Sequence, residues 1–336
     1  MNKEVAKLKY RKVKKIEEKL STLGYGCWGI SGPSFWDGTT DDDSIKTIRK
    51  AVGEGINFFD VAPVYGFGHA EEVLGKAIKG MRNDIFIATK CGLVWDQQNR
   101  ISNCLKPESI RREIEASLRR LQTDRVDLYQ LHWPDPRVDI EETMDAVNEL
   151  KKAGMIRYIG LSNFSLSLAE RAMKVSDIAS MQGLYNMLER NPKSYHNIPL
   201  EYAVEKEVLP FVKENGMAFL PYSPLFQGLL TGTFDLEREN FSSSDVRSAN
   251  PKLSGPDFEK YYSVVKELNA ISGEIGKPLS QIAINWLLYH KEVTSIIAGA
   301  QNIAQLEQNL GAVEWEIDNG LYGRIETLVK NSGIDL

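Results

Sequence analysis

Eight short apolar runs, each followed by an amphipathic stretch, constrain this chain more than any other feature of its sequence. The runs are "LGYGCW" (23–28), "INFFD" (56–60), "IFIATK" (85–90), "VDLYQLH" (126–132), "IRYIGLSN" (156–163), "SMQGLYN" (180–186), "MAFLPYSP" (217–224) and "VTSIIAGA" (293–300). Several are rich in Val, Ile, Leu and aromatics without clean alternation, as parallel strands covered by helices on their outer face are. Helical patterns fill the intervals. The first ends at Gly55, where a left-handed stop costs least, and Pro107 stands at a favoured helix start. Eight such units closing on themselves make an α/β fold, the (β/α)8 barrel. An open doubly wound sheet is the alternative. Its glycine fingerprint belongs in the first strand-to-helix turn, and "CWGISGPSFWDG" lacks it. The run "YRKVKKIEEKLST" reads as a β-hairpin plugging one end of the barrel, and extra helices follow the last strands. Without a break in composition, residues 1–336 read as one domain.

A formal net charge of −5 excludes an extended nucleic-acid surface. The basic run "KLKYRKVKK" reads as a solvated terminal hairpin. No apolar stretch is long enough to span a bilayer, and none has the form of a signal peptide. Cys27, Cys91 and Cys104 form no CxxC pair, which suits a reducing cytoplasm. His69, His132, His196 and His290 lie far apart and HExxH is missing, so no metal is expected. The expected partner is a small molecule. Oligomeric state is not legible.

Barrels of this kind keep their active sites at the C-terminal ends of the strands. Asp60, Lys90 and His132 end three consecutive runs, and Tyr65 lies in the loop just after Asp60. Singly, each has an ordinary reading: a helix cap, a surface lysine, a buried histidine, a loop aromatic. Together at corresponding positions they favour function. Such a set delivers a proton to a carbonyl oxygen. A phenol has a pKa of about 10. A lysine cation at 4 Å is worth about 4 kcal/mol at an effective dielectric of 20, enough to pull Tyr65 down by about two to three pH units. His132, neutral, polarises the carbonyl. The set contains no obvious nucleophile, so it suits hydride transfer from a cofactor.

These residues sit in blocks that resemble the aldo-keto reductases over essentially the whole length. "GINFFDVAPVYGFGHAEEVLGKAI", "IFIATK", "SLRRLQTDRVDLYQLHWPDP", "LKKAGMIRYIGLSNFS" and "YSPLFQGLLTG" occur in the family's order, and the "GFG" after the tyrosine resembles a bacterial branch. The resemblance implies a tetrad of Asp60, Tyr65, Lys90 and His132, with Tyr65 as general acid, and a nicotinamide dinucleotide across the barrel mouth. Ser162, Asn163 and Gln182 would then contact the carboxamide, and Tyr222 would stack on the ring. Ser223, Pro224, Leu225 and Gly228 would line the pyrophosphate. Gly299, Ala300, Gln301, Gln305 and Asn309 would meet the adenosine end, and Gly26, Cys27 and Trp28 would edge the reacting carbon. NADPH-preferring relatives place Lys, Arg or Ser after the last strand. Here the stretch is "AGAQNIAQLEQN", so NADPH and NADH both remain open.

The implied activity is reduction of aldehydes or ketones. The alternatives are oxidation of a sugar or polyol by the same chemistry, and a non-catalytic redox-sensing subunit. "GHAEEVLGKA" fails the P-loop pattern, and "GFG" reads as a tight turn through Gly66 and Gly68. Glu71 and Glu72 read as first-turn charge favoured by the helix dipole. Trp28, Trp36, Trp95, Trp133 and Phe226 are candidate substrate contacts or rim packing. The segments after Trp28, around Trp95 and from Leu225 to Asp257 are expected to set substrate choice.

Overall fold

The eight runs form eight parallel strands: β1 (Leu23–Gly26), β2 (Phe58–Asp60), β3 (Phe86–Cys91), β4 (Val126–Leu131), β5 (Ile156–Ser162), β6 (Ile178–Leu184), β7 (Ala218–Tyr222) and β8 (Ile296–Gly299). This computed structural model describes residues 8–32, 36, 40–232, 234, 241, 245–254 and 257–336. The strands pair in chain order from β1 to β7, and β8 returns to pair with β1. A parallel bridge between Phe219 and Val293 joins the remaining edges, so the sheet closes into a barrel. Helices α1 (Asp41–Gly53), α2 (His69–Ala77), α3 (Pro107–Leu121), α4 (Ile140–Lys152), α5 (Leu166–Val175) and α6 (Leu209–Asn215) cover β1 to β6 in turn. Helices α7 (Phe258–Ile275) and α8 (Leu279–Tyr289) lie between β7 and β8, and α9 (Ile303–Leu310) and α10 (Asn319–Asn331) follow β8.

A two-residue period runs along each strand and decides what the barrel contains. Phe58, Phe86, Ala88, Leu128, Ala179, Ala218, Leu220 and Ile297 fill the lower interior as one apolar cluster. Continuing the same faces upward brings Phe58 to Asp60, Ala88 to Lys90, and Leu128 to Gln130. Each strand thus passes from apolar to polar along one face. The alternate residues Ile87, Tyr129, Leu131, Ile159 and Leu161 face outward into the core shared with the helices.

The N-terminal hairpin pairs Tyr10–Arg11 with Leu20–Ser21. Ile16 and Leu20 seal the lower end against the interior cluster. Its basic run is less solvated than expected. Arg11 donates to the carbonyls of Leu288, His290 and Val293, which satisfies the end of α8. Lys7 of that run lies outside the described residues.

Local departures from expectation have steric causes. The first strand stops at Gly26, two residues early, and Cys27–Ile30 forms a 3-10 turn. A Cβ at Gly26 would lie 2.9 Å from Ile297, so the chain passes β8 too closely for a side chain. The loop around Trp95 is a hairpin, Leu93–Trp95 against Ile101–Asn103. A smaller one pairs Ser194–Tyr195 with Ile198–Pro199. Within the long polar stretch, Phe226–Thr231 is a kinked pair of turns broken at Gln227 and Gly228, and Val246–Ala249 is a 3-10 turn.

Ile16→Ala should lower unfolding stability by about 2–5 kcal/mol, the usual cost of an emptied core site. Urea denaturation measures it. Because the plug is at the end away from Asp60, kcat should stay within about twofold of wild type; a larger fall would mean that the plug shapes the upper end.

Candidate active site

Asp60 ends β2 and is buried. Its Oδ1 accepts from Lys90 Nζ at 2.6 Å. Its Oδ2 accepts from Gln182 Nε2 at 2.8 Å and from Gln130 Nε2 at 3.2 Å. Lys90, fully enclosed on β3, also donates to Val61 O at 3.1 Å and reaches Tyr65 Oη at 3.2 Å. The His132 ring lies edge-on to the Tyr65 ring, centroids 6.0 Å apart. Among the described residues, no group bonds its ring nitrogens. Asp60, Tyr65, Lys90 and His132 therefore converge, as barrel geometry requires of neighbouring strand ends.

The turn that brings Tyr65 there depends on glycine. Gly66 has φ +64° and Gly68 φ +102°. A Cβ at Gly66 would lie 2.1 Å from the Ser31 carbonyl oxygen, which no side chain survives. Glu71 stands in the first turn of α2 as expected, but it does more than meet the helix dipole. It is wholly buried, accepting from Thr89 Oγ1 at 2.6 Å and Arg120 Nε at 2.7 Å. It pins the start of α2 to the strand that carries Lys90. Glu72 is exposed, as first-turn charge should be.

The Tyr65 phenol differs from expectation in the direction of its pKa. Burial raises it well above the ordinary value, and the Asp60 carboxylate and the Cys27 thiol add to the rise. The lysine cation does not reverse this, because Asp60 compensates its charge at shorter range. Burial, helped by the Lys90 ammonium, holds the His132 imidazole well below its usual value. At neutral pH, then, the phenol is protonated and the imidazole neutral.

Above these residues opens a cleft of about 1000 Å³. Every residue expected along the dinucleotide lines it, from Gly26, Cys27 and Trp28 through Ser162, Asn163 and Gln182 to Tyr222, Ser223, Pro224, Leu225 and Gly228, and on to Gly299, Ala300, Gln301, Gln305 and Asn309. Of the aromatic candidates, Trp28, Trp36 and Trp133 line it. Trp95 packs against Phe67 instead, and Phe226 is turned into the core against Tyr261. The reason is local: Phe226, Gln227 and Gly228 all have positive φ, which points Phe226 inward and Gln227 at the cleft.

Two amides and a hydroxyl differ in what they have left to offer. Asn163 donates to His132 O and Ser162 Oγ, and accepts from Tyr202 Oη and Tyr222 Oη. Its amide is saturated. Gln182 commits both Nε2 hydrogens, to Asp60 and to Gln130 Oε1 at 3.2 Å, leaving its Oε1 for the cleft. Ser162 accepts from Asn163 and keeps its own O–H.

Sequence reasoning missed several groups. Gln130 stands on β4 two residues before His132, which directly follows the strand, so continuing the period-2 rule places the two on the same face. Tyr195 enters the cleft from the second small hairpin. Arg247 lines the cleft from the stretch after β7, gripped by Asp245 at 2.9 and 2.6 Å and lying over the Trp36 ring. Among the described residues, it is the one ammonium or guanidinium in that lining. Nothing periodic in the sequence marks it. Of the segments expected to set substrate choice, residues 33–35, 37–39, 233, 235–240, 242–244 and 255–256 lie outside the described residues. Among those described, no group of three or more His, Cys, Asp or Glu could hold a metal ion, and no helix is long and apolar enough to cross a membrane.

The sequence profile of the Aldo/keto reductase family matches residues 22–330. The aldo-keto reductase YhdN of Bacillus subtilis (strain 168) is 37% identical, over 97% of this chain and 95% of that protein. The NADH-specific methylglyoxal reductase of Escherichia coli (strain K12) is 32% identical, over 88% and 90% respectively. Among solved structures, the glycerol dehydrogenase AKR11B4 from Gluconobacter oxydans superposes with a TM-score of 0.84 at 33% identity, covering 97% of each chain.

Glu71→Gln keeps an acceptor for Thr89 but removes the counter-charge of Arg120. It should cost about 3 kcal/mol of stability by urea denaturation, as a broken buried pair does. A loss below about 0.5 kcal/mol would class the pair with exposed surface bridges.

Proposed function

The chain belongs to the aldo/keto reductase family and is an NAD(P)H-dependent carbonyl oxidoreductase, and we propose that Asp60, Tyr65, Lys90 and His132 carry its chemistry. One observation supports this above the others: Lys90 Nζ bridges Asp60 Oδ1 and Tyr65 Oη beneath a single cleft. Tyr65 gives its phenolic proton to the carbonyl oxygen as that oxygen gains electron density. A nascent alkoxide is a strong base, so a phenol with a raised pKa still transfers its proton. The charge left on Oη is met by the Lys90 ammonium at 3.2 Å. Asp60 and Val61 O hold that ammonium in place. His132, neutral, presents a ring N–H to the same carbonyl oxygen. General acid catalysis of this kind contributes about 10²–10⁴ in rate.

The cofactor site fits its group. Ser162 offers one donor and Gln182 one acceptor, the complement of a primary carboxamide. Gly228 has φ +104° and nothing within 4 Å of a Cβ position, so it turns bare backbone to the cleft. Bound there, a reduced nicotinamide supplies the hydride. At the adenosine end the lining is amide-rich: Gln301, Gln305, Gln308 and Asn309. Arg247 is already paired with Asp245. We therefore assign NADH as a competent cofactor without a large disadvantage against NADPH. The NADH-specific relative supports this. Side-by-side titration decides it, and an NADPH Kd more than about a hundredfold lower would sink the assignment.

The substrate is a small carbonyl compound held against Trp28 and Trp133, and the unpaired cysteines suit action in the cytoplasm. The structural likeness to a glycerol dehydrogenase supports a second reading, polyol oxidation by the same residues. Turnover on a panel of aldehydes, ketones, sugars and polyols, with both cofactors and in both directions, separates the two. No turnover with any of them would return the chain to a sensing role.

Tyr65→Phe should keep cofactor Kd within about threefold and lose at least about 10²-fold in kcat. Full activity would remove Tyr65 from the mechanism. Reductive kcat should show no inflection from His132 or Tyr65 between about pH 6.5 and pH 10, because each group's pKa is displaced outward from that window. Glu113, pushed up to about 7 chiefly by burial, is the group behind β3 that titrates inside it. An inflection that survives Glu113→Gln would contradict the assignment.

A further inference from the structure

Gln130 is fully buried at the centre of the barrel, where an apolar residue would pack without needing partners. Room is made for it. A Cβ at Gly160, its neighbour on β5, would lie 3.0 Å from Gln130 Cγ. It does not line the cleft, yet it touches two residues that do: it donates to Asp60 Oδ2 and accepts from Gln182 Nε2. The carboxylate cannot donate, so both amide nitrogens must face it and the orientations of the two amides are fixed. With one Gln182 hydrogen on Asp60 and the other on Gln130, Gln182 has no hydrogen left to offer.

We propose that Gln130 is a positioning residue that makes Gln182 an acceptor-only contact toward the cleft, so that the site selects a cofactor ring bearing an N–H donor. The inference rests on the reading of Gln182 as a carboxamide contact. A nicotinamide carboxamide can donate to Gln182 Oε1, whereas an acetyl group in its place cannot. Without Gln130, the Gln182 amide is no longer fixed on two acceptors and can turn an N–H toward an acetyl oxygen. Selectivity between the two groups then falls, although no residue in contact with the cofactor has been replaced.

The test is equilibrium binding without turnover. Kd is measured calorimetrically for the oxidised nicotinamide cofactor and for its 3-acetylpyridine analogue. Wild type should prefer the nicotinamide form by about tenfold, the worth of one hydrogen bond gained and one mismatch avoided. Gln130→Met should reduce that preference to about threefold or less. Gln130→Asn, one methylene too short to span both partners, should behave alike and serves if the methionine variant does not fold. An unchanged preference in the folded variant overturns the role of Gln130 alone. No preference in wild type overturns the reading of Gln182 and the inference with it. A general loss of stability would weaken both ligands together and leave their ratio fixed, so a structural role predicts no change in it.

Discussion

The Asp60 carboxylate is the group on which the rest of this site depends. It is buried at the end of β2, with Lys90 on one oxygen and Gln182 and Gln130 on the other. Enclosing an ion pair this deeply is expensive, and an apolar pair of similar volume often packs as well or better. The arrangement therefore makes sense as machinery rather than as glue. One carboxylate anchors the ammonium that faces Tyr65 and holds the Gln182 amide that lines the cleft. In the proposed reaction, proton donor and cofactor contact would share a single reference point.

The barrel supplies the conditions for that group. Below it, the apolar cluster and the hairpin residues Ile16 and Leu20 exclude water from the lower interior. Above it, the strands end and bare turns begin. Gly66 lets Tyr65 return over Lys90, and Glu71 pins the helix that follows to the strand beneath. Burial at this depth determines the protonation states. It raises the phenol and lowers the imidazole, both the states a donor and a neutral polariser require.

Much of this was legible in the sequence because it follows period and position. Phe58 and Asp60, Ala88 and Lys90, Leu128 and Gln130 are pairs two residues apart, and each marks where a strand turns from plug to site. Gln130 itself could have been read that way. Other features are set by contacts that leave no local pattern. Glu71 looks like any first-turn acid until Arg120, 49 residues on, is brought to it. Phe226 looks like a rim aromatic until three successive positive φ angles turn it inward. Arg247 reaches the cleft from a polar stretch with no period to betray it. The expected lowering of the Tyr65 pKa fails chiefly through burial, which raises the phenol more than a lysine already compensated by Asp60 lowers it.

The most direct test of the central claim is the single-turnover rate of carbonyl reduction by Lys90→Met with cofactor saturating. The rate should fall at least about 10³-fold, because the ammonium that meets the charge on Tyr65 Oη is gone while the cleft contacts remain. Cofactor Kd should stay within about threefold of wild type. A single-turnover rate within about tenfold of wild type, with cofactor still bound, would contradict the role given to the Asp60–Lys90–Tyr65 chain.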